Sequence, residues 1–269
     1  MLRDLMPDVF CPNEREFIFP RTVRYYEQVG STMDVAREWL QQATPDDLPL
    51  LVVAEAQEAG RGRQQRRWVV PAGSALLFSL VLRPHWLDPA HAPALIWMMG
   101  VAVCEAIAEA TGLAPRLKWP NDVLLLPDTG APPAKVAGIL LEAGSSQQRV
   151  EWAIIGCGIN VNAAPPPDIT PRYPATCLAA APGRPLDRSL LLRGVLARLE
   201  HWYTSLARGE RETLFARWRG LLHTIGQEVT IQTADGIIAG IAEGVEPSGA
   251  LRVRDSAGHL HTIANGDVG

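Results

Sequence analysis

Four arginines crowd seven consecutive positions of the chain, at Arg61, Arg63, Arg66 and Arg67, with glycines at Gly60 and Gly62. A guanidinium is a planar fork that donates two parallel hydrogen bonds, a geometry suited to phosphate and carboxylate oxygens. Glycine beside it frees the backbone for turns in which N–H groups also approach an anion. The segment reads alternatively as an exposed charged loop. It follows the apolar run 50–54, however, and closes on Trp68, an aromatic that requires cover. The chain as a whole is acidic, with a net charge of -4, so this local concentration of cations is better explained by an anionic ligand.

Lysine is scarce. Of 25 basic residues only Lys118 and Lys135 are lysines, the rest being arginine. Lys118 opens the run Lys118-Trp119-Pro120-Asn121-Asp122. Pro120 donates no hydrogen bond and holds Trp119 extended, which leaves Asn121 and Asp122 at a turn where they reach either a ligand or the local backbone. Lys135 heads the apolar run 135–142 behind a loop rich in Pro and Gly, which makes it either a ligand group or a solvated strand end. Gly156 and Gly158 interrupt an apolar strand that reaches Asn160. Glycine weakens a strand unless something lies close to its backbone, so these positions mark a close approach or a packing bulge. No GxxxxGK[ST] is present and the glycines open no helix, which excludes a phosphate loop and a dinucleotide fingerprint.

These groups need a scaffold. Residues 21–29 read as a strand, Ser31 and Thr32 as a helix cap, and Asp34 as an acid in the first turn. Strands follow at 50–54 and 74–82 around the polar stretch 55–73, then a helix over 93–110. Strands at 116–126 and 135–142 join across the loop 127–133, and 150–162 is a further strand. Leu191, Val195, Leu199, Trp202 and Leu206 recur at helical spacing within 187–206, and a second helix covers 210–222. Past Gly226 the pattern alternates with turn residues between runs, as in a small β barrel. The predicted fold is α/β (α+β): an extension over 1–20, a mixed-sheet domain over 21–223 and a β module over 224–269. The longest apolar run, 94–104, is shorter than the ~18 residues of a membrane span, and no signal-like block opens the chain. Cys11, Cys104, Cys157 and Cys177 lack CxxC spacing and the histidines form no HExxH, so neither a metal site nor a disulfide framework is expected. A soluble, cytoplasmic protein is expected, with no membrane partner.

Taken in order, the segments GRGRxxRxW (60–68), KWPND (118–122), KxxGIL (135–140) and GxGIN (156–160) resemble the biotin–protein ligase family. The resemblance runs from about Tyr25 to near the end of the chain. It implies a mixed α/β catalytic domain, related to lipoate ligases, followed by an SH3-like barrel. It also implies that biotin and Mg-ATP (ATP with Mg2+) give biotinyl-5′-AMP, whose acyl group passes to a lysine of a biotin carboxyl carrier protein of acetyl-CoA carboxylase or a related enzyme. By resemblance, Lys135, Arg61 and Arg63 are catalytic. Ser31, Thr32, Gln57, Arg61, Trp68, Lys135 and Gly138 bind biotin. Arg63, Arg66, Lys118, Asn121, Asp122 and Asn160 bind ATP. Two positions depart from the family: Met33 follows Ser31-Thr32 where relatives often have Asn, and the last barrel strand is expected to be short. Some members carry an N-terminal helix-turn-helix domain. Residues 1–20 are too few for one, so no DNA binding is expected. Monomer and homodimer both remain open. Two other readings stand beside this one: a lipoate or octanoyl ligase of the same fold, which needs a longer apolar tunnel, and a non-catalytic nucleic-acid-binding protein using the arginine loop.

Overall fold

In the computed structural model, residues 19–127, 130, 132–166, 174–233 and 236–268 are described. Aliphatic runs supply seven strands: β1 (Thr22–Val29), β2 (Leu50–Gln57), β3 (Ala75–Leu82), β4 (Arg116–Lys118), β5 (Asp122–Leu125), β6 (Ala134–Ser145) and β7 (Val150–Asn160). They form one mixed sheet in the order β1-β2-β3-β7-β6-β5-β4. Only β1 and β2 pair in parallel, joined by the crossover helix α1 (Thr32–Gln42).

The two faces of this sheet are covered unequally. Leu51 and Val53 of β2, Leu76, Phe78 and Leu80 of β3, and Ile155 and Ile159 of β7 pack in one core with α2 (Ala94–Thr111), α3 (Arg188–Ala207) and α4 (Arg211–Leu221). Alternation sends Leu50, Val52, Val81 and Ile154 to the other face, against Met33, Ala36 and Leu40 of α1. Ser31 caps α1, its Oγ accepting from the Met33 N–H at 3.3 Å. Since α1 has only 11 residues, it packs at the 154 end of β7, and the 156–160 end carries the cavity described below. α2 is apolar over most of its surface, apart from Glu105 and Glu109, and passes for a membrane span by length and composition, yet 67% of that window is buried within the fold. It is the core helix, covered by α3 and α4.

Three details differ from expectation. The run 116–126 is divided by the expected turn, Trp119-Pro120-Asn121, into the β4–β5 hairpin, and its strands are shorter than the run, since Pro120 cannot supply a ladder donor. β2 extends past 54 and carries Gln57 to the cavity. Phe19, at the end of the expected extension, is buried with its ring 5.5 Å from that of Tyr203. Residues 1–18, parts of the loop 127–133, residues 167–173 with the last proline of the expected breaker, residues 234 and 235, and Gly269 lie outside the described residues.

The C-terminal module is a five-stranded antiparallel sheet of β8 (Glu228–Thr233), β9 (Gly236–Val245), β10 (Leu251–Arg254), β11 (Leu260–Ile263) and β12 (Asp267–Val268), in the order β11-β10-β9-β8-β12. Val229, Ile231, Leu251, Val253 and Ile263 point inward, and β12 has just two residues. The hairpin turn ties this module to the larger sheet. Trp119 donates from its indole to the Gly249 carbonyl and from its backbone to the Thr224 hydroxyl, both at 2.9 Å.

Candidate active site

A cavity of about 560 Å³ opens over the uncovered part of the sheet. Its floor is built from glycine. Gly156 and Gly158 of β7 and Gly138 of β6 share one face, with Gly138 opposite Gly158 in register. A Cβ at Gly158 would come within 2.5 Å of the Trp68 ring, and one at Gly138 within 3.0 Å of it. The indole of Trp68 therefore lies flat on strands that have no side chains to hold it off. Gly156 does the same for Met33: a Cβ there would meet the Met33 sulfur at 2.6 Å. Met33 thus fills its place with a thioether packed on the strand, a contact different in kind from that of an Asn.

The arginine segment is folded on itself. Trp68 N–H donates to the Gly60 carbonyl at 2.8 Å and Gly62 N–H to the Arg66 carbonyl at 2.7 Å, with Gln64 at φ 52 in the turn. A Cβ at Gly60 would stand 2.5 Å from the Trp68 carbonyl, which explains the glycine. The base of the loop is held by a buried ion pair. Arg188 donates to Glu55 at 2.8 Å with both side chains almost fully buried, and the Glu55 carbonyl accepts from Gly73 N–H at 3.0 Å. Removing one partner of such a pair costs about 3–5 kcal/mol, because the other charge stays buried. Tyr25 donates to the same carboxylate at 3.3 Å. Burial and the Glu55 charge push its hydroxyl up to about 12.

At one end of the cavity the groups are neutral and mutually bonded. Thr32 donates twice to Gln57 Oε1, from its backbone at 2.7 Å and its hydroxyl at 3.0 Å. At the other end they are charged. Lys135 Nζ sits 2.6 Å from Asp122 and 5.6 Å from the Trp68 ring centre, between the two halves. Arg61 reaches Asp34 at 2.8 Å and Glu142 at 3.5 Å, and Arg66 pairs with Asp267 of β12. Arg63 donates to Asn121 Oδ1 at 3.3 Å and to the Gly266 carbonyl at 3.1 Å. Burial lowers the pKa of Arg63, with Arg66 adding to the shift and Asp122 opposing it. Asn121 also donates to the Ile139 carbonyl at 2.6 Å, so its amide anchors the turn to β6. Asn160 donates to the Thr176 carbonyl at 3.0 Å, while its Oδ1 is buried without a hydrogen-bond partner. An orphaned acceptor costs about 1–3 kcal/mol, which a ligand N–H would recover.

Ser31, Thr32, Gln57, Arg61, Arg63, Arg66, Trp68, Asn121, Asp122, Lys135, Gly138 and Asn160 all line this cavity. Lys118 does not line it. It lies opposite Asp122 in the β4–β5 ladder, one strand further out, where β12 covers it and its Nζ donates to the Val268 carbonyl at 2.8 Å. The carboxylates that balance the arginines were not foreseen. Glu142 had a signal, being two steps of two from Gly138 on one face of β6. Asp267 had none. Among the described residues no cluster of three or more His, Cys, Asp or Glu could hold a metal on its own.

A glycine-floored pocket on a mixed sheet, a loop of arginines and a lysine between its halves define an acyl-activating ligase. The chain belongs to the biotin/lipoate A/B protein ligase family, whose profile matches residues 25–160, and the biotin protein ligase C-terminal domain matches 224–268. It is 35% identical to the biotin–[acetyl-CoA-carboxylase] ligase of Paracoccus denitrificans, over 77% of this chain and 85% of that one. It is 32% identical to the bifunctional ligase/repressor BirA of Bacillus subtilis, over 91% of this chain and 72% of that one. The biotin protein ligase from Aquifex aeolicus, solved in complex with biotin and ATP, superposes with a TM-score of 0.76 at 27% identity, covering 93% of this chain and 98% of that one.

Proposed function

We propose that the protein is a biotin–protein ligase that joins biotin to a carrier lysine in two steps. The observation that carries this reading is the place of Lys135, whose ammonium stands at the junction of the neutral pocket and the arginine cluster. In the first step the biotin carboxylate attacks the α-phosphorus of ATP and pyrophosphate leaves. Two anions must meet, and fixed cations offset their repulsion without reorganising. Lys135 supplies a compact positive charge where the new bond forms, while Arg63 and the two arginines that Asp34, Glu142 and Asp267 otherwise neutralise, Arg61 and Arg66, take the substrate oxygens. Thr32 and Gln57 hydrogen-bond the ureido ring, Ser31 positions the start of α1, and Trp68 over Gly158 and Gly138 covers the acyl chain. Asn160 Oδ1 accepts from the amino group of adenine. Mg2+ arrives with the triphosphate as part of the substrate. In the second step a lysine amine of a biotin carboxyl carrier domain attacks the acyl carbon and AMP leaves. A carboxylase carrier as the partner is supported by the name of the Paracoccus relative.

The test is pyrophosphate release by purified protein with Mg-ATP and either biotin or lipoate. Release that depends on biotin is expected, and release that depends on lipoate alone would replace this reading with the lipoate one.

A further inference from the structure

We propose that Ser79 is a positioning residue for substrate selection, acting through Thr32 on the ureido group of biotin. The inference rests on the ligase reading above and adds a residue that the cavity wall does not contain.

Ser79 is the one polar residue of β3, in the run Ala-Leu-Leu-Phe-Ser-Leu-Val-Leu, and it is fully buried. Its hydroxyl donates to Thr32 Oγ1 at 2.9 Å. Its register partner on β7 is Gly156, which has no side chain to crowd it, and Met33 lies over that glycine. A hydroxyl holds one proton and two lone pairs. Thr32 commits its proton to Gln57 Oε1 and one lone pair to Ser79, so a single lone pair is left to offer a ligand. Gln57 Oε1 takes both donors of Thr32, which fixes the amide with its Nε2 as the group left over. The pair therefore presents one acceptor and N–H donors, the complement of a cyclic urea with its N–H groups and carbonyl. Ser79 selects this state. Without its proton Thr32 carries a buried lone pair with no donor, and the geometry of the acceptor toward the urea loosens.

The experiment uses the full chain and pyrophosphate release, with biotin and with desthiobiotin, which keeps the cyclic urea but lacks the sulfur. Ser79→Ala is expected to raise the KM for both compounds by the same factor, about five- to tenfold. The KM for ATP and kcat stay within about twofold of wild type. Ser79→Cys, close in size and a weaker donor, falls between the two and keeps the test available should the alanine variant fail to fold. In a Thr32→Val background, Ser79→Ala adds less than about twofold, because the group it acts through is gone. An unchanged KM for biotin overturns the proposal. So does a rise for biotin that desthiobiotin does not share, which would place Ser79 at the ring sulfur, or a full additive effect in the Thr32→Val background. A wild-type protein that releases no pyrophosphate with biotin overturns the ligase reading and this inference together, whereas a normal wild type with an unaffected variant overturns this inference alone.

Discussion

At the Thr32–Trp68 end of the cavity, shape and neutral hydrogen bonds are fixed by the chain before any ligand arrives. At the Arg66–Lys135 end, the cations are in place but lean on the chain's own carboxylates. The first half is built by subtraction: Gly138, Gly156 and Gly158 leave flat strand on which Trp68 and Met33 rest. The second half is built by pairing: Asp122, Asp267, Asp34 and Glu142 hold Lys135, Arg66 and Arg61. The contrast suits the two substrates. A rigid bicycle is best met by a rigid pocket, which saves ordering entropy on binding. A triphosphate is met by cations whose present partners it can displace, so Lys135, Arg61 and Arg66 keep counter-charges in the free protein, while Arg63 rests on the neutral oxygens of Asn121 and Gly266.

The largest break in this comparison is at its hinge. Lys135→Ala is expected to lower biotin-dependent pyrophosphate release by about 10²–10³-fold, the range for losing one preorganised charge at a developing anion. Lys135→Arg is expected to do nearly as badly, since Nζ is held between Asp122, Trp68 and Gly138 with little room for a planar fork. Wild-type rates in the arginine variant would remove Lys135 from its central role. Next, Gly158→Ala should push Trp68 off the strand and raise the KM for biotin by about tenfold, leaving that for ATP unchanged. Equal losses for both substrates would show that the halves are not separable.

A smaller effect is expected from the charged half alone. Asp267→Asn keeps the shape of β12 and removes the competitor for Arg66, so the KM for ATP should fall by about two- to fivefold, less so in high salt. A higher KM would mean that the carboxylate holds the loop in its working form. The smallest expected response is none at all. Cys157 lies between Gly156 and Gly158, but its side chain belongs to the core on the α2 face, and burial raises its thiol pKa well above the usual range. Peptide mapping after iodoacetamide at pH 8 should find it unmodified, and modification there would show the floor of the cavity opening.

Much of the site was legible because motif residues bring their own geometry. Twelve of thirteen named residues meet in one cavity, carried by short segments in which glycine, proline and charge already specify a turn or a flat strand. Lys118 stands apart from the cavity lining because β12 covers it, and a sequence shows which strand a side chain sits on but not what covers it when the cover comes from 150 residues further along. Asp267 escaped for the same reason. Ser79 escaped because a lone hydroxyl in an apolar run has no pattern until its partner, Thr32, is brought across from α1. The fold was read mostly from periodicity. The turn that divides 116–126 was read instead from its breaker, Pro120.

The two lysines have a further consequence for how the protein withstands its own product. A biotinyl adenylate acylates amines, and an enzyme that releases some of it bathes in a labelling reagent. Here Lys118 is buried with its ammonium on the Val268 carbonyl, and Lys135 is tied to Asp122. Apart from six histidines, every other basic side chain is an arginine, whose guanidinium stays protonated and is a poor nucleophile toward such an anhydride. The surface is in effect chemically silent toward the reagent made at its centre.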